Sequence, residues 1–148
     1  TTLAVDETAE VVQALRARFP GLIGPKASDI CYATQNRQDA VRALAEDCDL
    51  VLVVGSTNSS NSRRLVEVAE RAGCPALLVE DASEIPPELL ADVARVGVTA
   101  GASAPESLVE GVVRALDGLG GATLAERTVA TEDIHFKLPI ELRAKKVT

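Results

Sequence analysis

The chain has 148 residues, of which 47% are apolar and only 2% aromatic, so a core must be built from Ala, Val, Leu and Ile. Its formal net charge of −7 argues against a nucleic-acid partner or an anionic membrane surface, because either would need a basic stripe. No apolar run approaches membrane-spanning length and no signal-peptide pattern is present, so we expect no membrane partner and a cytoplasmic location. Three cysteines at irregular spacing do not form a disulfide framework.

Residues 1–27 are predicted to be the end of a preceding α/β domain, a helix followed by a connector. Asp6 is suited to be the N-cap of this helix, Val11 and Leu15 are expected to face inward, and Phe19-Pro20-Gly21 ends the helix. Because the sequence enters a helix almost at once and lacks an initiator methionine, we expect a piece of something longer.

Residues 28–121 are predicted to form an α/β domain from repeated strand, loop and helix units. Leu50–Val54 is an apolar run of the kind that forms a parallel strand buried on both faces. Ala76–Val79 and Val96–Thr99 are the next predicted strands, and helices are predicted up to Arg71 and about Leu116. This repetition favours a parallel sheet with flanking helices and right-handed crossovers.

Two loops of small residues each lie between a predicted strand and a predicted helix. In the first, Ser59, Ser60 and Asn61 surround the start of a helix, whose first N–H groups lack internal partners and attract anions. In the second, Ser103 with Glu106 fits a capping box. Both loops should open on the carboxyl edge of the sheet and together predict an anion site, although a turn with a helix cap is the commoner use of such residues.

Cys31 lies in a polar loop just before a predicted helix, and taken alone it would be an ordinary packed cysteine. Residues 122–148 form a predicted C-terminal arm without a helix of its own. In the arm Ile134, Phe136 and Leu138 alternate with polar residues as in a strand, and we expect it to pack on another part of the molecule.

Four motifs that together span most of the chain resemble the carboxy-terminal half of the 4-hydroxy-3-methylbut-2-enyl diphosphate reductases. They are Thr1-Thr2-Leu3-Ala4-Val5-Asp6, Asp29-Ile30-Cys31-Tyr32-Ala33-Thr34-Gln35-Asn36-Arg37-Gln38, Val54-Gly55-Ser56-Thr57-Asn58-Ser59-Ser60-Asn61-Ser62, and Val98-Thr99-Ala100-Gly101-Ala102-Ser103-Ala104-Pro105. Enzymes of this family are iron–sulfur proteins that end the methylerythritol phosphate route to isoprenoids. The resemblance implies reductive dehydroxylation of an allylic diphosphate to isopentenyl diphosphate and dimethylallyl diphosphate.

The resemblance also implies roles for individual residues. Cys31 would be one of three thiolate ligands of a [4Fe–4S] cluster, and Thr34 would line the cluster side. Substrate binding would fall to two groups, the diphosphate ligands Ser59, Ser60, Asn61 and Ser103, and a threonine of the opening pair near the reacting hydroxyl, Thr1 or else Thr2.

Other parts that the family needs are missing from this sequence, because the two further cluster cysteines, the substrate-binding histidines and the acidic proton donor belong to the amino-terminal half. Cys48, Cys74 and His135 match none of these motifs. The implied partners are therefore that amino-terminal half, the allylic diphosphate and an electron donor such as ferredoxin or flavodoxin, and this chain alone is not expected to be active. The alternatives are a non-catalytic α/β module that binds a phosphorylated small molecule and an interaction domain whose loops bind nothing.

Overall fold

The computed structural model describes residues 5–24 and 31–131. Its helices and strands are, in chain order, α1 Val5–Arg18, α2 Tyr32–Asp47, β1 Leu50–Val54, α3 Ser60–Arg71, β2 Ala76–Val79, β3 Val96–Ala100 and α4 Glu106–Gly118. Two short 3₁₀ turns, Ala82–Glu84 and Pro87–Leu90, connect β2 to β3. The predicted strands Leu50–Val54, Ala76–Val79 and Val96–Thr99 are confirmed.

The described strands form a parallel sheet in the order β2-β1-β3, so the predicted α/β class with a parallel sheet and flanking helices is confirmed. In the register of the sheet, Val54 at the end of β1 pairs with Val79 of β2 and with Ala100 of β3. The three strands therefore end at one edge, and the chain segments that follow them start side by side there.

The core has two halves, one on each face of β1. Val51 and Val53 pack with buried residues of α2 and α3, whereas Leu50, Leu52 and Val54 pack with Val112 of α4. All residues of β1 are buried, as its unbroken apolar run predicts. Each such Val or Leu contributes roughly 1.5 to 3 kcal/mol of transfer free energy when fully buried.

The expected inward face of α1 is wrong for the part of the chain that the structure describes. Val11 is 57% exposed and Leu15 is 40% exposed. Their helical spacing places Val11 and Leu15 on one face of α1, and the rest of the described chain does not cover that face. Asp6 lies within α1 rather than before it.

Residues 119–131 contain neither helix nor strand. Arg127 in this segment donates a hydrogen bond to the carbonyl oxygen of Ala43 at 2.9 Å and pairs with the carboxylate of Asp47. The first part of the predicted arm thus lies along α2. The predicted strand at Ile134, Phe136 and Leu138 lies outside the described residues, and the division at residues 27 and 121 stays a prediction.

No helix in residues 5–24 and 31–131 has both the length and the apolar character needed to cross a membrane.

Candidate functional site at the carboxyl edge of the sheet

The first candidate loop connects β1 to α3 and is stabilised by its own side chains. The Ser59 hydroxyl oxygen accepts a hydrogen bond from the Ser62 N–H at 3.2 Å and so forms the N-cap of α3. The Ser59 N–H donates to the Ser56 carbonyl oxygen at 2.9 Å. Because Ser59 only accepts in its cap, its own O–H stays able to donate to a ligand.

Asn61 carries an unusual feature in the first turn of α3. Its Nδ2 is buried and has no hydrogen-bond partner among the described residues. A buried amide without a partner costs about 1 to 3 kcal/mol, so such groups call for an explanation, and a bound acceptor is one. Ser60, next to it, is exposed and opens α3.

The second candidate loop connects β3 to α4, and here one detail of the sequence prediction is wrong. α4 begins at Glu106 with Pro105 at its N-cap, and Ser103 does not cap it. The reason is Pro105, which disfavours helical backbone at the residue before it, so that a helix cannot start at Ala104. The Ser103 side chain is exposed and takes no part in starting the helix.

Backbone hydrogen bonds tie the starts of these loops together. The Gly101 N–H donates to the Val54 carbonyl oxygen at 2.9 Å, and the Gly55 N–H donates to the Val79 carbonyl oxygen at 2.9 Å. Both loops therefore leave neighbouring strands at the same edge, as the sequence predicts. The amino ends of α3 and α4, with the positive ends of their dipoles, lie at this edge as well.

A carboxylate at the end of β2 supports the first loop. Glu80 follows β2 directly, and its Oε1 accepts a hydrogen bond from the Thr57 N–H at 3.2 Å. The Glu80 N–H in turn donates to Glu84 at 2.7 Å. Nothing in the sequence reasoning pointed to Glu80, because the two residues are 23 positions apart and meet only through the sheet.

Cys31 lies directly before α2, as predicted. Leu44, near the end of α2, lies beside Gly97 at the start of β3, whereas Asn36 and Ala40 line one cavity with Thr99 near the end of β3. α2 therefore runs antiparallel to the strands, and its amino end with Cys31 lies toward the same edge as the two loops. Thr34, one turn into α2, is only 7% exposed.

The position of Cys31 affects its thiol. The side chain makes no full capping hydrogen bond, yet the backbone N–H groups of Ala33 and Thr34 and the Thr34 hydroxyl face the sulfur and lower the pKa of the thiol from its usual value. Cys31 is also exposed, so its sulfur is accessible from solvent. Burial instead raises the pKa of Cys48 and of Cys74, and the Cys74 thiol donates to the Cys48 carbonyl oxygen at 3.2 Å.

An exposed thiol of lowered pKa fits one ligand position of an iron–sulfur cluster, because the thiolate is the ligating form. Among residues 5–24 and 31–131, however, no group of three or more His, Cys, Asp or Glu side chains could hold a metal ion. Cys31 can thus be one ligand, and the described residues supply no complete set. Thr1 and Thr2 lie outside the described residues.

A shallow cavity of about 310 Å³ lies elsewhere, between α2, Thr99 and the segment 126–130. None of the predicted site residues lines it, and it is lined in part by the arm that Arg127 holds on α2. We therefore place the candidate site at the loops and not in this cavity.

Comparison with known proteins agrees with this geometry. A family model described as LytB protein matches residues 1–117. The chain is 57% identical over 145 residues to 4-hydroxy-3-methylbut-2-enyl diphosphate reductase 2 of Mycobacterium bovis, which covers 98% of this chain and 44% of that protein. It is 59% identical over 147 residues to the 4-hydroxy-3-methylbut-2-enyl diphosphate reductase of Hahella chejuensis, covering 99% of this chain and 46% of the relative.

Solved structures give the same result. The E-1-hydroxy-2-methyl-but-2-enyl-4-diphosphate reductase of Plasmodium falciparum matches with a TM-score of 0.86 and 34% identity, over 95% of this chain and 45% of that one. A structure of (E)-4-hydroxy-3-methyl-but-2-enyl diphosphate reductase matches with a TM-score of 0.58 and 33% identity, over 80% of this chain and 41% of that one.

The chain spans less than half the length of the relatives it matches, and it corresponds to a carboxy-terminal part of them. The family match covers most of the chain and includes Cys31 and both candidate loops. This chain belongs to the LytB protein family.

Proposed function

We propose that this chain is the carboxy-terminal part of a 4-hydroxy-3-methylbut-2-enyl diphosphate reductase and supplies its diphosphate-binding loops and one cluster thiolate. The observation that carries the proposal is the buried Asn61 Nδ2 without a partner among the described residues, at the start of a helix in a member of this family. A phosphate oxygen would satisfy that amide and accept from the helix amino end at the same time.

The diphosphate would be bound by groups of both loops. Ser59 donates its O–H while its oxygen caps α3, Asn61 donates its Nδ2 hydrogens, and Ser60 offers its backbone N–H at the first turn. Ser103 reaches the same anion from the neighbouring strand, since its hydroxyl does not cap α4. These donors fix the charged end of the substrate and so orient its allylic end without a cationic side chain in either loop.

Cys31 would hold one iron of a [4Fe–4S] cluster, with Thr34 beside it and the remaining ligands outside the described residues. When bound, such a cluster supplies electrons to the substrate, whose hydroxyl leaves as water after protonation. The backbone N–H groups at the start of α2 stabilise the negative charge on the Cys31 sulfur, which favours ligation. Thr1 or Thr2 would lie near the reacting hydroxyl.

Three partners belong to this proposal: the allylic diphosphate, an amino-terminal half that carries the other ligands and the proton donor, and an electron donor of the ferredoxin or flavodoxin kind. We place the enzyme in the cytoplasm with these partners. The chain by itself is proposed to bind diphosphate and to lack reductase activity.

The test uses the complete reductase that carries this sequence, with iron content and reduction of the allylic diphosphate as readouts. Cys31→Ser should lose the iron–sulfur absorption and most of the activity, whereas Asn61→Ala should keep the iron and raise KM. Cys48→Ser is the matched control, because Cys48 lies at the far end of α2, and it should keep both iron and activity. Full iron content in Cys31→Ser would remove Cys31 from the ligand set. Diphosphate binding without iron or reduction in the wild type would favour the non-catalytic binding module.

A further inference from the structure

Ser62, in the first turn of α3, is a polar residue that the proposed function does not use. It is only 1% exposed, and its Oγ has no hydrogen-bond partner among the described residues. A buried hydroxyl without a partner is unfavourable compared with an alanine at the same place. Its presence therefore calls for a role other than local stability.

The surroundings of this hydroxyl are narrow. A Cβ placed on Gly55 would lie 2.3 Å from Ser62 Oγ, and a Cβ placed on Gly101 would lie 2.1 Å from it. The hydroxyl thus occupies the space that side chains at both positions would need. Neither glycine has a positive φ, so backbone conformation does not demand glycine there, and the close approach of Ser62 does.

Gly55 follows β1 and Gly101 follows β3, and each begins one of the two candidate loops. One hydroxyl on α3 therefore contacts the starting points of both loops. Ser59 and Asn61 precede Ser62 on the same turn, and Ser103 comes shortly after Gly101. Ser62 therefore lies between the starting points of the two loops that carry these donors.

We propose that Ser62 is a positioning residue for the diphosphate, whose hydroxyl holds the loop after Gly55 and the loop after Gly101 at the separation that lets one diphosphate reach both. This rests on the proposed function, because it assumes that the two loops share one ligand. Ser62 need not touch the ligand. It acts through Asn61 and Ser59 on one side and through the Gly101–Ser103 segment on the other.

Comparing the binding of a ligand with two phosphate groups and a ligand with one distinguishes a positioning role of Ser62 from a general effect on stability. Inorganic diphosphate spans both loops, whereas inorganic phosphate can be seated at one. Ser62→Ala should weaken diphosphate binding to the chain about tenfold, the loss expected when one charge-assisted hydrogen bond is misaligned, and should leave phosphate binding within about twofold. Thr123→Ala, which removes an exposed hydroxyl from the segment after α4, is the control and should change neither.

The geometry also predicts a specific rescue. Gly101→Ala alone should weaken diphosphate binding, because its methyl would collide with Ser62 Oγ at 2.1 Å. In a Ser62→Ala background the same methyl would lie 3.3 Å from the Cβ and 3.8 Å from the Cα at position 62, and it would fill the space that the hydroxyl left. The double variant should therefore recover most of the diphosphate affinity. Gly55→Ala should give no rescue, since its methyl would still lie 2.9 Å from that Cβ.

Circular dichroism first confirms that each variant is folded. Calorimetric titration with diphosphate and with phosphate then tests the proposed role of Ser62. A selective loss for diphosphate in Ser62→Ala with recovery in the Gly101 double variant supports the proposal. Equal diphosphate affinity in the wild type and in Ser62→Ala, or equal losses for both ligands, overturns it and leaves the proposed function intact. A wild type that binds neither ligand overturns both the inference and the diphosphate site on which it rests.

Discussion

At the scale of single residues, the three cysteines have different environments because of where the elements end. The N–H groups at the start of α2 lower the pKa of the Cys31 thiol, while burial raises the pKa of Cys48 and Cys74. A lowered pKa means that the thiolate forms at lower pH, and a raised pKa means that it forms only at higher pH. The thiolate is the reactive form, so the exposure of Cys31 and the lowered pKa of its thiol both favour reaction at this residue.

Cys31 should accordingly react first with iodoacetamide in the metal-free chain near neutral pH, followed by Cys48 and then the buried Cys74. The pH at which its alkylation rate reaches half-maximum should lie below that of a cysteine in an unstructured peptide. Peptide mapping by mass spectrometry after short exposure measures the order. Alkylation of Cys74 before Cys31 would contradict the described placement of both residues.

Asp49 is a second residue whose role became clear only from the structure. Its Oδ2 accepts hydrogen bonds from the Ala94 N–H at 3.0 Å and the Arg95 N–H at 2.9 Å, and so ties the start of β1 to the segment that leads into β3. In the sequence it stands beside Glu46 and Asp47 and resembles an ordinary acidic surface residue. The two bonds span 45 and 46 positions, which local patterns do not reveal.

Asp49→Ala should therefore lower the free energy of unfolding by about 1 to 2 kcal/mol, a moderate loss because the carboxylate is exposed. Asp92→Ala, an exposed carboxylate nearby, serves as control and should change stability by less than about 0.5 kcal/mol. Urea unfolding of both variants gives the comparison. Equal midpoints for the two variants would show that the Asp49 bonds do not contribute.

At the scale of elements, the glycine after α3 and the glycine within α4 differ in backbone conformation. Gly73 has a φ of +88° directly after the C-cap Ala72, and α3 ends at Arg71 as the sequence predicts. Gly111 lies inside α4 with ordinary helical backbone. A Cβ at either position would meet nothing within 4 Å, so substitution tests backbone conformation alone.

Gly73→Ala should destabilise the chain by about 1 kcal/mol, because alanine is strained at this φ. Gly111→Ala should stabilise it by about 0.5 to 1 kcal/mol, because alanine is the better helix former. Thermal unfolding measures both variants. The two glycine-to-alanine changes are matched, and their expected effects on stability have opposite signs. Stabilisation by Gly73→Ala would contradict the described end of α3.

Sequence reasoning gave the strands and the order of elements because β1 is an unbroken apolar run and the helices have clear apolar spacing. It placed the start of α4 at Ser103 because the capping pattern alone was considered. Pro105 disfavours a helical backbone at Ala104, and this restriction was left out. Sequence reasoning also gave no sign of Ser62, although Gly55 directly after the predicted strand Leu50–Val54 and Gly101 shortly after Val96–Thr99 were a signal of close approach that could have been used. Contacts such as Glu80 with Thr57 depend on strand order, which no local pattern contains.

At the scale of the whole molecule, apolar side chains of α1, together with Phe19 directly after it, are exposed in the described chain. Val11, Leu15 and Phe19 are 57%, 40% and 55% exposed. We propose that the amino-terminal part of the reductase covers them, in keeping with residues 1–27 as the end of a preceding domain. The chain by itself would then expose a surface that favours self-association.

The double variant Val11→Ser/Leu15→Ser should therefore be less associated than the wild-type chain in sedimentation velocity at the same concentration. A chain cut after Gly121 separates this effect from that of the arm, because the predicted strand at Ile134, Phe136 and Leu138 is expected to pair when nothing covers it. If the double variant sediments like the wild type and the shortened chain alone is monomeric, the arm and not α1 is responsible.

The two loops at one edge of the sheet are proposed to form a diphosphate site within these residues. A ligand at one hundred times its dissociation constant stabilises a folded chain by roughly 2.7 kcal/mol, and each kcal/mol raises Tm by about 2 to 4 °C in a domain of this size. Sulfate at matched ionic strength controls for a general salt effect, since it presents one anionic group.

The most direct measurement is the Tm of the chain with increasing inorganic diphosphate, compared among the wild type, Asn61→Ala and Ser103→Ala. We predict a saturable rise in the wild type that exceeds the rise with sulfate and is reduced in each variant, because each loses a hydrogen bond to the anion. An equal rise in all three proteins, or the same rise with sulfate, would mean that the loops are only turns.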